Sequence, residues 1–247
     1  MHYIVFDLEF NQDAESLQNF EHAATRFPFE IIQIGAVKLD EHFNLVSTFN
    51  HYIKPTFYKR LSPFVAELTQ ITSEQLEEGD LFPLVYETYL QFIGEEEITW
   101  VVWGMSDMKE LFRNVFYHHL DQAPLPKHFI NIQPYTSTYF NLSEKKLLKL
   151  EDAITKLELP LSHSFHNALH DAYYTAEIFR KVYTPTIKPM IYDPFFKPAH
   201  PRQPKRRVNY HALIEQFEKM YDRPMTAEEQ ALIKLAYNMG KTQQFLH

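Results

Sequence analysis

No cysteine occurs among the 247 residues. Disulfides, thiolate nucleophiles and cysteine-held zinc are therefore excluded together. A metal would have to sit on carboxylates and imidazoles, a donor set that suits hard cations such as Mg²⁺ or Mn²⁺. Glycine is also scarce, at 5 residues, so tight turns must lean on proline, asparagine and aspartate. No glycine-rich phosphate loop follows any predicted strand, which removes support for a nucleotide cofactor. No apolar run approaches the ~20 residues of a membrane span. The opening segment, Met1-His2-Tyr3-Ile4-Val5-Phe6-Asp7, has no basic region ahead of its apolar residues. It reads as a buried strand rather than a signal peptide. Together these absences predict a soluble, cytoplasmic protein with no membrane partner.

What is present is a large apolar inventory: 45% of the chain, with 21 Phe and 15 Tyr. That is enough for one full-sized domain and an appendage. Ile4–Phe10 reads as a first strand, Glu30–Leu39 as a second, and Leu45–Lys54 as a third that forms a hairpin with it. A helix start near Ser73 and a helical stretch over Leu81–Ile93 follow. Ile98–Trp103 is a short, nearly all-apolar run of the kind covered on both faces. Ser106–Leu120 reads as a helix and Phe129–Ile132 as a strand. Ser143 is placed to cap a helical region carrying Leu147, Leu150, Ile154 and Leu157 at a 3.6-residue period. A last helix, from about Asn167 to Tyr183, aligns Ala168, Ala172, Ala176 and Phe179 on one stripe. This order predicts an α/β layer fold with a mixed sheet rather than a doubly wound nucleotide fold.

The texture changes at Thr184. Six of the 15 prolines fall between Pro185 and Pro204, and the stretch reads as an extended linker or arm. The net charge is −8, but residues 184–208 carry six bases against one acid and are +5, leaving −13 elsewhere. Acids gathered in a site can be neutralised by bound metal, so the negative total does not exclude a polyanionic partner. Tyr210–Tyr221 and Ala227–Met239 then read as a helix pair, with a capping box at Thr226 and Glu229. The expected division is residues 1–183, an arm over 184–208, and a helical extension over 209–247.

Three acidic signals carry the chemistry. In a strand, Asp7 and Glu9 project from one face while Ile4, Phe6, Leu8 and Phe10 take the other. Two adjacent carboxylates on an apolar central strand repel each other and call for a cation. Asp107 follows the Ile98–Trp103 strand at a helix start, where ligands gather in α/β sheets. Taken alone, it reads first as a helix first-turn acid. His166 and Asp171 diverge by ~140° if both are helical. They converge if His166 lies in the preceding loop, beside a carboxylate-bound metal where it can take a proton from water. His170 and His163 read as surface and loop residues.

The pattern D-x-E, then D, then H-x(4)-D resembles the DEDDh branch of the DnaQ-like 3′→5′ exonucleases, over roughly Met1–Tyr183. Tyr52-Ile53-Lys54-Pro55, Leu61-Ser62-Pro63-Phe64 and Leu68-Thr69-Gln70-Ile71-Thr72 are similar to the subgroup of KapD-type bacterial proteins and the histone-mRNA and small-RNA exonucleases. The resemblance implies an RNase H-like, five-stranded mixed sheet flanked by helices, with a small C-terminal helical extension. It also implies two divalent cations, with Asp7 bridging, Glu9 and Asp171 on one ion, and Asp107 with Asp7 on the other. His166 would be the general base, and nucleoside 5′-monophosphates the products. The substrate would be a single-stranded nucleic-acid 3′ end, RNA favoured. Leu8, Phe10, Phe57 and Leu61 are the candidates for contacting its terminal nucleotide, and the bases from Lys197 to Arg207 for upstream phosphates. Two other readings stand beside this one. One is a DNA proofreading or repair exonuclease. The other is a regulatory protein that binds a partner, for which the C-terminal extension is the candidate surface.

Overall fold

The structure, a computed structural model, describes residues 1–12, 29–58, 60–143, 146–195 and 209–241. Strand β1 (His2–Asn11) is buried along both faces. Ile4, Phe6 and Leu8 enter one core, and Tyr3 and Val5 enter another on the opposite face. Such a strand must be central. It pairs antiparallel with β2 (Glu30–Leu39), which pairs antiparallel with β3 (Leu45–Tyr52). On its other side β1 runs parallel to β4 (Ile98–Val102), and β4 parallel to β5 (His128–Asn131). With β6 (Met190–Ile191) at the edge, the order is β3-β2-β1-β4-β5-β6.

Three short helices, α1 (Pro63–Thr69), α2 (Ser73–Glu78) and α3 (Phe82–Ile93), connect β3 to β4. Helix α4 (Ser106–Tyr117) follows β4, and α5 (Ile132–Tyr139) follows β5. Helices α6 (Leu150–Lys156) and α7 (Ala168–Val182) close the domain. Val85, Tyr89 and Ile93 of α3 and Met108 and Leu111 of α4 cover the face of Ile4 and Phe6. Ala172, Ala176 and Phe179 of α7, with Ile154 of α6, cover the face of Tyr3 and Val5. By alternation, Asp7 and Glu9 share that second face, so they look toward α7.

Three expectations are corrected. The sheet has a sixth strand, β6 (Met190–Ile191), antiparallel to β5. It is two residues long, too short to leave a periodic signal, and it forms the sheet edge, where Pro189 beside it is tolerated. The arm therefore does not begin at Thr184. Ile187 is buried, Tyr192 packs on Phe112 and Phe129, and the first compact unit runs to Phe195. The helical region expected after Ser143 starts only at Leu150. The Leu148 carbonyl accepts from Gln133 Nε2 at 2.9 Å and is thereby drawn away from a helical ladder.

In the second unit, α8 (Tyr210–Tyr221) and α9 (Ala227–Lys241) are joined by a turn in which Asp222 takes a left-handed conformation. Thr226 N donates to Glu229 Oε2, and Glu229 N to Thr226 Oγ1, forming the capping box. Arg223 grips the same Glu229 carboxylate. The arm bases Lys197, Arg202, Lys205, Arg206 and Arg207 lie outside the described residues. Among those described, no helix is long and apolar enough to cross a membrane.

Candidate active site

Parallel pairing of β1 with β4 ends at Val5 and Val101, so Asp7 and Glu9 lie beyond it, at the carboxyl end of the parallel strands. Ligands of open α/β sheets gather there. The chain leaving β4 turns at Gly104, whose φ is +92°. Gly104 N donates to the side chain of Asn131, which also caps α5. The turn delivers Asp107 in the first turn of α4, 6% exposed.

Helix α7 reaches the site because β2 lets it. Gly35 is the register partner of Asp7, and a Cβ there would fall on the backbone of Ala168 and Leu169. The missing side chain is what brings the helix N-terminus against the sheet beside Asp7. Gln33, paired with Glu9, is fully buried. Its Oε1 accepts from Ala168 N at 3.1 Å, while its Nε2 donates to Asn50. Asp171, one turn into α7, is 8% exposed. Sequence reasoning missed Gly35 and Gln33 as builders of the site. A lone glycine inside an apolar strand was the available signal.

His166 precedes the helix in a left-handed conformation, φ +60°, and its N–H donates to Asp171 Oδ2 at 3.0 Å. The loop–helix junction expected from the spacing is present. Glu9, His166 and Asp171 each offer a donor atom, all within 4.8 Å of one another. Asp7 and Asp107 stand outside this trio. Their charges still reach it, since Asp7 feels Asp107, Asp171 and Glu9, and Asp107 feels Asp171.

Burial, then the charges of Asp171 and Asp107, pushes Glu9 up to about 8. Burial pushes Asp107 to about 7 against the pull of its own backbone N–H. It likewise pushes Asp171 to about 7 against the His166 N–H. Asp7 is driven well above the ordinary carboxylate range, by burial first and then by its three acidic neighbours. Asp171 Oδ1 is buried with no hydrogen-bond partner. Four carboxylates that repel one another, one with an orphaned oxygen, have the chemistry of a site for hard divalent cations.

The candidate substrate contacts divide. Leu8 is 3% exposed and lies in the core on the face opposite the acids. It offers nothing to a nucleotide, and that expectation is withdrawn. Phe10 is partly buried against the same core and packs on Phe29. Leu61 packs against the cluster of Ile32, Val65, Ile71 and Leu76. Phe57 stays half-buried, its ring against Tyr58 and Tyr117. Its loop is fixed from beneath. The buried Glu30 carboxylate accepts from the backbone N–H groups of Thr56, Phe57 and Tyr58. Asn11 binds Arg60 O and Ser62 N.

A mixed sheet in this order, with helices on both faces, is an RNase H-like fold, here with acids at the carboxyl end of β1. Residues 4–179 match the exonuclease family model RNase_T, and the chain belongs to that family, among its DEDDh 3′→5′ exonucleases. It is 28% identical over 182 residues to the probable 3′-5′ exonuclease KapD of Bacillus subtilis, covering 72% of this chain and 83% of KapD. Human 3′-5′ exoribonuclease 1 is 27% identical over 161 residues, 62% of this chain but 46% of that protein. The Escherichia coli 3′-5′ DNA exonuclease Cap18 is also 27% identical, over 62% of this chain and 82% of Cap18. The solved nuclease domain of 3′hExo, a DEDDh family member bound to rAMP, superposes with a TM-score of 0.65 at 24% identity, covering 78% of this chain and 96% of that one.

Proposed function

We propose that this chain is a divalent-metal-dependent 3′→5′ exonuclease that removes nucleoside 5′-monophosphates from single-stranded 3′ ends, with RNA preferred. The observation that carries the reading is the orphaned, buried Asp171 Oδ1 beside Glu9 and His166. Asp7, Glu9, Asp107 and Asp171 would hold two cations, Mg²⁺ or Mn²⁺. When bound, these neutralise charge on the scissile phosphate and make water more acidic. His166 accepts the proton of the attacking water at its imidazole. The water oxygen bonds to phosphorus, the bond to the 3′-oxygen breaks, and that oxygen takes a proton from solvent. Phe57, on a loop clamped by Glu30, is the candidate to stack on the terminal base.

The RNA preference rests on the Tyr52–Thr72 segment and on the exoribonuclease among the relatives. The equally similar DNA exonuclease makes DNA the second reading. The test uses matched 5′-labelled RNA and DNA single strands with Mg²⁺ or Mn²⁺, with chelator and Asp171→Ala as controls. RNA should shorten stepwise from its 3′ end and faster than DNA. Faster DNA hydrolysis would replace the substrate assignment. Activity surviving chelator or Asp171→Ala would overturn the mechanism.

A further inference from the structure

His166 holds a backbone conformation that side chains other than glycine disfavour, so something must over-determine it. Its own N–H bond to Asp171 is one restraint. The other restraints come from the next turn of α7. Tyr174 is 1% exposed, and its hydroxyl takes both backbone groups of a single loop residue. It accepts from His163 N at 2.8 Å and donates to His163 O at 2.7 Å. The Tyr174 ring packs on Phe165. His170, four residues before Tyr174 and therefore on the same side of α7, stacks on the His163 ring at 4.6 Å. Its Nδ1 lies 3.1 Å from Ser164 O. Among the described residues, the hydrogen bonds holding residues 163–166 thus come from the helix that also carries Asp171.

We propose that Tyr174 is a positioning residue for His166. Its hydroxyl locks the 163–166 loop to α7, so that the imidazole and the Asp171 carboxylate keep one geometry through the reaction. The inference rests on the exonuclease reading for its catalytic consequence, though not for the tether itself. A base held within a few tenths of an ångström of its working position acts on kcat, since a small misplacement costs rate rather than substrate affinity.

Tyr174→Phe keeps the ring and deletes both hydrogen bonds. On a short RNA it should lower kcat roughly 10-fold, with KM and the half-saturating Mn²⁺ concentration within about twofold of wild type. In a His166→Ala background, Tyr174→Phe should cause no further loss, because the group it positions is gone. A full additional loss there, or wild-type kcat in the single variant, would overturn the proposal. Amide hydrogen exchange on metal-free protein supplies a readout independent of turnover: residues 163–166 should exchange faster in Tyr174→Phe while β1 and β2 stay protected. Unchanged exchange in the loop refutes the tether whether or not the enzyme is active. An inert wild type with faster loop exchange refutes the function and keeps the tether. Should Tyr174→Phe fail to fold, His170→Ala removes the second tether and is expected to show the same kcat-only loss, smaller in size.

Discussion

Glu30 and Asp171 are both buried carboxylates, and they are bonded in opposite ways. Glu30 accepts from three successive backbone N–H groups, so its charge is met by the protein itself. Asp171 accepts one N–H, leaves its other oxygen buried and unbonded, and shares its surroundings with three further acids. A satisfied carboxylate is a structural clamp, and here it shapes the Phe57 loop. An unsatisfied cluster is an incomplete structure that a cation completes. The contrast separates the acids that fold this protein from those that would work in it.

The sharpest break of that contrast is Asp171→Asn. The amide is nearly isosteric and can still accept from His166 N, but it withdraws one negative charge from the cluster. Exonuclease activity should fall by roughly 10³ or more. Metal-free stability should rise by about 1 kcal/mol, as repulsion with Glu9 and Asp107 is relieved. Turnover assays and thermal melts in chelator read the two effects. An active or destabilised Asp171→Asn variant would mean that Asp171 is a clamp like Glu30.

The second test is pH. Glu9, Asp107 and Asp171 titrate near 8, 7 and 7 in the folded chain, against ordinary values of 4.5, 3.8 and 3.8. Folded pKa values above the unfolded ones mean that the native state binds more protons between about pH 4 and 8. Stability of the metal-free protein therefore falls as pH rises through that window, and is unaffected by these groups below it. A fall in Tm of roughly 5 °C or more between pH 5 and 8 is expected. Mg²⁺ or Mn²⁺ at pH 8 should recover it, because binding to the native state alone stabilises by mass action. A Tm that rises with pH in chelator would show that the acids are individually satisfied.

Much of this site was legible because strand and helix periods are rigid rules. Alternation alone set Asp7 and Glu9 on one face, and the five-residue spacing of His166 and Asp171 required a loop–helix junction. What brings those pieces together was not legible. Gly35 and Gln33 act on α7 across more than 130 residues of sequence, and nothing local to β2 announces which distant helix will pack on its glycine. Leu8 failed as a contact for the converse reason: alternation that turns Asp7 and Glu9 toward α7 turns Leu8 into the core on the opposite face. The strand β6 was masked by the prolines around it, since composition reports a segment's average while two residues paired with β5 set its place.

The smallest expected effect tests the clamp itself. Glu30→Gln preserves size and one acceptor oxygen but turns an amide NH₂ toward a backbone N–H that needs an acceptor. Either the Tyr58 or the Thr56–Phe57 side of the loop must then lose its partner. A buried donor left unpaired costs about 1–3 kcal/mol, so Glu30→Gln should lower Tm at every pH and in either the presence or absence of metal. The Phe57 loop is displaced rather than the acids, so activity should fall through KM, by a few-fold, with the metal requirement unchanged. Glu30→Gln and Asp171→Asn then move metal-free stability in opposite directions, although each removes one buried negative charge. If both lower it equally, the two carboxylates are alike in their energetics, and the orphaned oxygen of Asp171 loses its meaning as the mark of a binding site.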